Sequence, residues 1–132
     1  MADVFRPLLA AVAMVAALPA AAQTPPAPSE QMTVAAFMDR VAELRRGGPE
    51  WTLSPEASEL FAVVSSVGQA YRQTLTERMA SGLPTEACLP PEAEIDSDLL
   101  FAHFGAYSAD QAAQTTIAAA FADLVRQRFP CT

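Results

Sequence analysis

Two cysteines, Cys88 and Cys131, constrain this chain more than any other feature. Cys88 lies in Ala87-Cys88-Leu89-Pro90-Pro91, between two helix-forming halves, and Cys131 is the next-to-last residue of the sequence. A bond between them fastens the hinge to the end of the last helical stretch. It closes a loop of roughly 44 residues, which the chain-entropy model values at about 4 kcal/mol. Whether such a bond forms depends on compartment, and the opening residues speak to that.

Leu8 to Leu18 is an uninterrupted apolar run, too short to span a bilayer, and it is broken by Pro19 and followed by Ala20-Ala21-Ala22. This pattern predicts a secretory signal over residues 1–22, cleaved between Ala22 and Gln23, with no membrane span left after cleavage. Export places both cysteines in an oxidising, periplasmic compartment, where an even count reads as a disulfide. Gln23 to Gln31 carries Pro25, Pro26 and Pro28 among small polar residues. Such a segment neither continues a helix nor buries apolar surface, and it predicts a tether ahead of one domain over 32–132.

The sequence has 132 residues, 52% of them hydrophobic, which suffices for one domain and not for two. Its net charge is -7, and every basic residue is arginine. That balance argues against nucleic acid and anionic membrane surfaces, both of which demand a basic face. A basic protein partner, in contrast, would be steered toward it.

Beyond the tether the periodicity is helical throughout and no stretch alternates at period two. Thr33 caps a first amphipathic helix marked by Phe37, Val41 and Leu44, which Gly47-Gly48-Pro49 stops. Ser54-Pro55-Glu56 supplies a cap, a proline at the first helical position and an acid in the positive first turn. The second helix is expected from about Pro55 to about Ala80, with Leu60, Val64, Val67, Tyr71 and Leu75 on its apolar stripe. Gln69, Arg72, Gln73, Thr76 and Glu77 fill the far side. Gly68 inside this helix costs about 1 kcal/mol against alanine and predicts the close approach of a neighbouring helix.

A third helix is expected from Ser97 to about Phe104, with Asp96 and Asp98 complementing its dipole. Ser108 and Gln111 form a capping box, from which a fourth helix is expected to run unbroken to Phe129. The domain therefore reads as all-α with four main helices and one disulfide. Between the second and third helices, Thr85 to Ile95 is a stiff acidic loop. Its Glu86, Pro90, Pro91, Glu92 and Glu94 are the candidate partner-binding residues, because a segment with little entropy left to lose suits a binding protrusion.

Catalytic chemistry is scarce. His103 is the single histidine, no cluster of Cys, His and carboxylates has metal-ligand spacing, and no glycine-rich phosphate loop is present. No cofactor is implied. A Cys88–His103 nucleophile pair is the one catalytic constellation that can be drawn, and it requires Cys88 to be reduced while Cys131 offers it a partner.

Several motifs occur in an order that resembles a known family. They are Gly68 and Tyr71 in a long helix, then Cys88-Leu89-Pro90, then Leu99-Leu100 in a polar-capped helix. Last comes an alanine-rich helix ending Phe121-Ala122-Asp123-Leu124-Val125-Arg126-Gln127-Arg128-Phe129-Pro130-Cys131. Over Gly68 to Cys131 the chain resembles the Rap/Tai family of type VI secretion amidase immunity proteins. The resemblance implies a periplasmic all-α protein with a signal peptide and one disulfide, often dimeric, that binds a peptidoglycan amidase effector and blocks its catalytic groove. Two departures stand out: Tyr107-Ser108-Ala109-Asp110 lacks the proline the family commonly has before its last helix, and Thr33 to Leu53 matches nothing in the pattern. The expected function is therefore a non-catalytic immunity or inhibitor protein; the alternative is a periplasmic structural or stress-related helical protein with no toxin partner.

Overall fold

The computed structural model describes residues 31–132. The expected signal segment, its cleavage point at Ala22 and Gln23, and all but the last residue of the expected tether lie outside the described residues. Within them are five α-helices and one short 3-10 turn: α1 Val34–Arg45, the turn Trp51–Leu53, α2 Pro55–Ala80, α3 Ser97–Gly105, α4 Ala109–Gln114 and α5 Ile117–Arg128.

The caps read from the sequence are in place. Thr33 Oγ1 accepts from Ala36 N, Ser54 Oγ from Ala57 N, and Ser108 and Gln111 exchange both bonds of a capping box. Each satisfies backbone donors that the helix itself leaves orphaned. α2 ends where expected, in a Schellman motif: Gly82 at φ 67° donates to Met79 O, and Leu83 N reaches back to Arg78 O.

One expected element is corrected. The single helix drawn from Ser108 to Phe129 is two helices, because Thr115 and Thr116 are extended, with ψ 126° and 154°. Thr116 Oγ1 caps α5 by accepting from Ala119 N. The break is fixed from outside as well. Val34 N donates to Thr115 O and Ile117 N to Met32 O, both at 2.8 Å, so the segment entering α1 pairs as an antiparallel bridge with the α4–α5 junction. A continuous helix would satisfy Ile117 N internally, but it would occupy Thr115 O and leave Val34 N, in the first turn of α1, without this partner.

Sequence pattern becomes a core through α1 and α5. Val34, Phe37 and Val41 of α1 and Ile117, Ala120, Phe121, Leu124 and Val125 of α5 are buried, and Leu60 and Val67 of α2 with Leu100 and Phe104 of α3 close around them. Phe37 meets Phe104 edge to face at 5.5 Å between centroids. At roughly 1.5–3 kcal/mol for each large apolar side chain buried, these residues are the main stabilising term. α1 packs on each of the other four helices. The stretch that matched no family motif is thus at the centre of the fold.

Gly68 faces α5, as its cost predicted, with the Phe121 ring over it. The approach is looser than a glycine requires, because an alanine methyl there would lie 3.4 Å from Phe121 Cζ, an ordinary van der Waals contact.

Candidate functional site

Cys88 and Cys131 are disulfide-bonded, with Cα atoms 4.9 Å apart and a sequence separation of 43. The bond does not act alone. Cys88 N donates to Phe129 O at 2.9 Å, and Ala87 bridges Pro130 in antiparallel fashion. The hinge is therefore held to the end of α5 by a covalent bond and by backbone pairing, with Ala87 buried beneath. Because both sulfurs are in the disulfide, no thiolate exists for the Cys88–His103 pair drawn from the sequence. His103 Nε2 instead lies 3.4 Å from the Tyr107 hydroxyl, so its polar edge is satisfied one turn along the chain.

The five loop residues expected to bind a partner separate into three groups. Glu86 remains exposed, yet its Oε2 accepts from Arg126 Nη1 at 2.9 Å. It anchors the loop start to α5. Pro90 is half-buried, and its carbonyl accepts from the Arg72 guanidinium, which also donates to Ala93 O at 2.5 Å. Ala93 N closes the turn onto Pro90 O. Pro91, Glu92 and Glu94 reach the surface, and among the described residues neither glutamate has an ion-pair partner.

Arg72 thus departs from its expected place on the free polar face of the second helix. A guanidinium presents several donors in a rigid fork, and here the fork reaches two carbonyls of the proline turn: Pro90 O, which also accepts from Ala93 N, and Ala93 O. Helical periodicity does not reveal this; the signal available was a long cation facing a loop short of N–H groups. Asp96, expected only to complement a dipole, is the N-cap of α3, accepting from Leu99 N at 2.8 Å. Capping occupies Asp96, whereas Glu92 and Glu94 make no such internal bond.

A polar chain that sequence reasoning missed joins the hinge to the core. Tyr107 donates to Asp123 Oδ2 at 3.0 Å, Asp123 pairs with Arg126, and Arg126 reaches Glu86. These contacts tie the end of α3, α5 and the hinge together. Burial first, then the hydrogen bond to Asp123 and its negative charge, push the Tyr107 phenol up to about 12. Burial likewise raises the phenol of Tyr71, against the partial opposition of Arg126. Burial disfavours the charge on Arg126, but Asp123 and Glu86 more than offset it and raise its pKa.

Beside the acidic turn, the C-terminal part of α2 and the hinge enclose a groove of about 580 Å³. Arg72, Leu75, Thr76 and Met79 line it from α2 and Leu89, Pro90 and Pro91 from the hinge, with Arg72 the one charged side chain in the lining. Among the described residues, no group of His, Cys, Asp and Glu has the arrangement to hold a metal ion, and no helix is long and apolar enough to cross a membrane. No protein-family model, curated protein or solved structure matches the chain.

Proposed function

We propose that the chain is a non-catalytic periplasmic protein of the inhibitor or immunity type, which binds a peptidoglycan amidase and blocks it. The observation that carries this reading is the pair of surface carboxylates, Glu92 and Glu94, on a turn pinned by the disulfide on one side and by Arg72 and the Asp96 cap on the other. Such a turn has little conformational freedom to lose on binding, so more of its contact energy survives as affinity. Exposed carboxylates on this segment suit an enzyme whose active-site rim is basic, and they would act chiefly on the rate of encounter. The ordered motifs from Gly68 to Phe129-Pro130-Cys131, with their resemblance to the Rap/Tai pattern, supply the amidase as the class of partner. Consumption of both cysteines by the disulfide supports a role in binding over one in catalysis.

The experiment uses the oxidised chain as bait in periplasmic extract of its native host, followed by an assay of peptide release from purified peptidoglycan. Recovery of an amidase whose peptide release is abolished by one equivalent of the chain is the expected result. If no peptidoglycan hydrolase is retained, or one is retained and remains fully active, the reading fails and the structural or stress-related alternative takes its place.

A further inference from the structure

We infer that the groove between the end of α2 and the hinge is a docking site for a basic amphipathic segment of a protein partner, whose apolar side chains enter the groove while its arginines or lysines meet Glu92 and Glu94. The inference rests on the protein-binding reading and adds the chemistry of the partner's contacting segment.

The groove has the size of ligand-binding clefts, which run to roughly 300–1,000 Å³. Its walls are largely apolar: Leu75 and Met79 face Leu89, Pro90 and Pro91, with Thr76 between. Met79 is 69% exposed, an unbranched side chain at an open rim, which is the adaptable kind of contact that peptide-binding surfaces favour. Leu83, just past the helix end, is also exposed. The hinge wall is rigid, because the disulfide, the Ala87–Pro130 bridge and the Arg72 bonds hold it. A preformed groove between a helix end and a stiff opposing segment accepts a helix through anchors spaced at i, i+3 and i+4.

Charge selects the occupant. Between Arg72 and Asp98 the sequence carries six carboxylates and two arginines. Arg72 is turned onto Pro90 O and Ala93 O, and Arg78 onto Pro84 O, so both guanidinium forks are committed to backbone carbonyls. Glu92 and Glu94, in contrast, lie at the surface beside Pro91 with no ion pair among the described residues. A second copy docking through this same face would set Glu92 and Glu94 against their own counterparts. A segment that pairs aliphatic or aromatic anchors with cations matches both the wall and the rim.

The test records amide spectra of the oxidised chain with three synthetic 14-residue peptides. The first is an amphipathic leucine–arginine helix, the second is the same composition scrambled to remove amphipathicity, and the third is the amphipathic leucine–glutamate counterpart. Only the first is expected to perturb Leu75, Thr76, Met79 and Leu89 in a saturable way. Met79→Lys and Thr76→Arg, both at exposed positions, should each weaken that binding at least tenfold while leaving the melting temperature within a few degrees. Equal binding of the scrambled peptide, perturbations centred elsewhere, or indifference to both variants would overturn the inference. Its failure is distinct from failure of the inhibitor reading: a chain that silences an amidase yet ignores these peptides loses only the groove, and one that binds them without inhibiting any amidase loses only the proposed function.

Discussion

Two arginines fix the hinge loop, and they do so through different chemistry. Arg72 saturates carbonyls, holding backbone, whereas Arg126 pairs with Glu86 and Asp123, holding charge. Glu86 is 74% exposed in its side chain, so solvent screening keeps its ion pair with Arg126 worth no more than about 1 kcal/mol. Tyr107 reports on the same network. Its folded pKa lies above the ordinary tyrosine value, so the stability it contributes is complete below about pH 10 and is lost as pH rises toward about 12. The chain has two tyrosines, and both phenols are raised. Absorbance at 295 nm should therefore show no full tyrosine step centred at about pH 10 in the folded protein, and the step should move there in denaturant. Gly68 offers an independent check. Because an alanine methyl would make ordinary contact with Phe121, Gly68→Ala should hold or raise stability by up to about 1 kcal/mol in a denaturant melt. A marked loss of stability instead would mean that α2 and α5 approach more tightly at Phe121 than ordinary van der Waals contact.

At the level of elements, what was legible in the sequence and what was not divide along a physical line. Local chemistry was legible: Thr33, Ser54 and Ser108 cap their helices, Gly82 ends α2, and the cysteines pair. What escaped depended on partners distant in sequence. The break at Thr115-Thr116 exists because the segment before α1 supplies the matching carbonyl and amide, which no window around position 115 contains. Two adjacent β-branched residues ahead of the Ile117 run were a local hint, since such residues are poor in helix interiors and Thr is a good cap. Thr116→Ala should cost about 1 kcal/mol through the lost cap, read as a shift in the denaturant midpoint with unchanged slope. The loop residues were correctly gathered into one segment, but their division, with Glu86 spent on α5 and Glu92 and Glu94 left without partners, depended on where Arg126 and Arg72 point.

For the whole molecule, a small helical core is stapled to a hinge whose acidic turn is pinned at the surface. A chain of this size buries a modest fraction of its surface, which makes the staple count. Cys88→Ser should remove up to about 4 kcal/mol and lower the melting temperature by many degrees, with reduction of the wild type reproducing the loss. Under the proposed inhibitor function, the exposed Glu92 and Glu94 contribute to encounter with the partner and not to folding. For an amidase captured as that function requires, association kinetics with wild type and with the Glu92→Ala, Glu94→Ala double variant, at low and high salt beside a thermal melt, test this most directly. The variant should associate several-fold more slowly at low salt, the difference should shrink at high salt, and the melting temperature should stay unchanged. Identical kinetics at both salt concentrations would contradict this and place the contact surface elsewhere on the molecule.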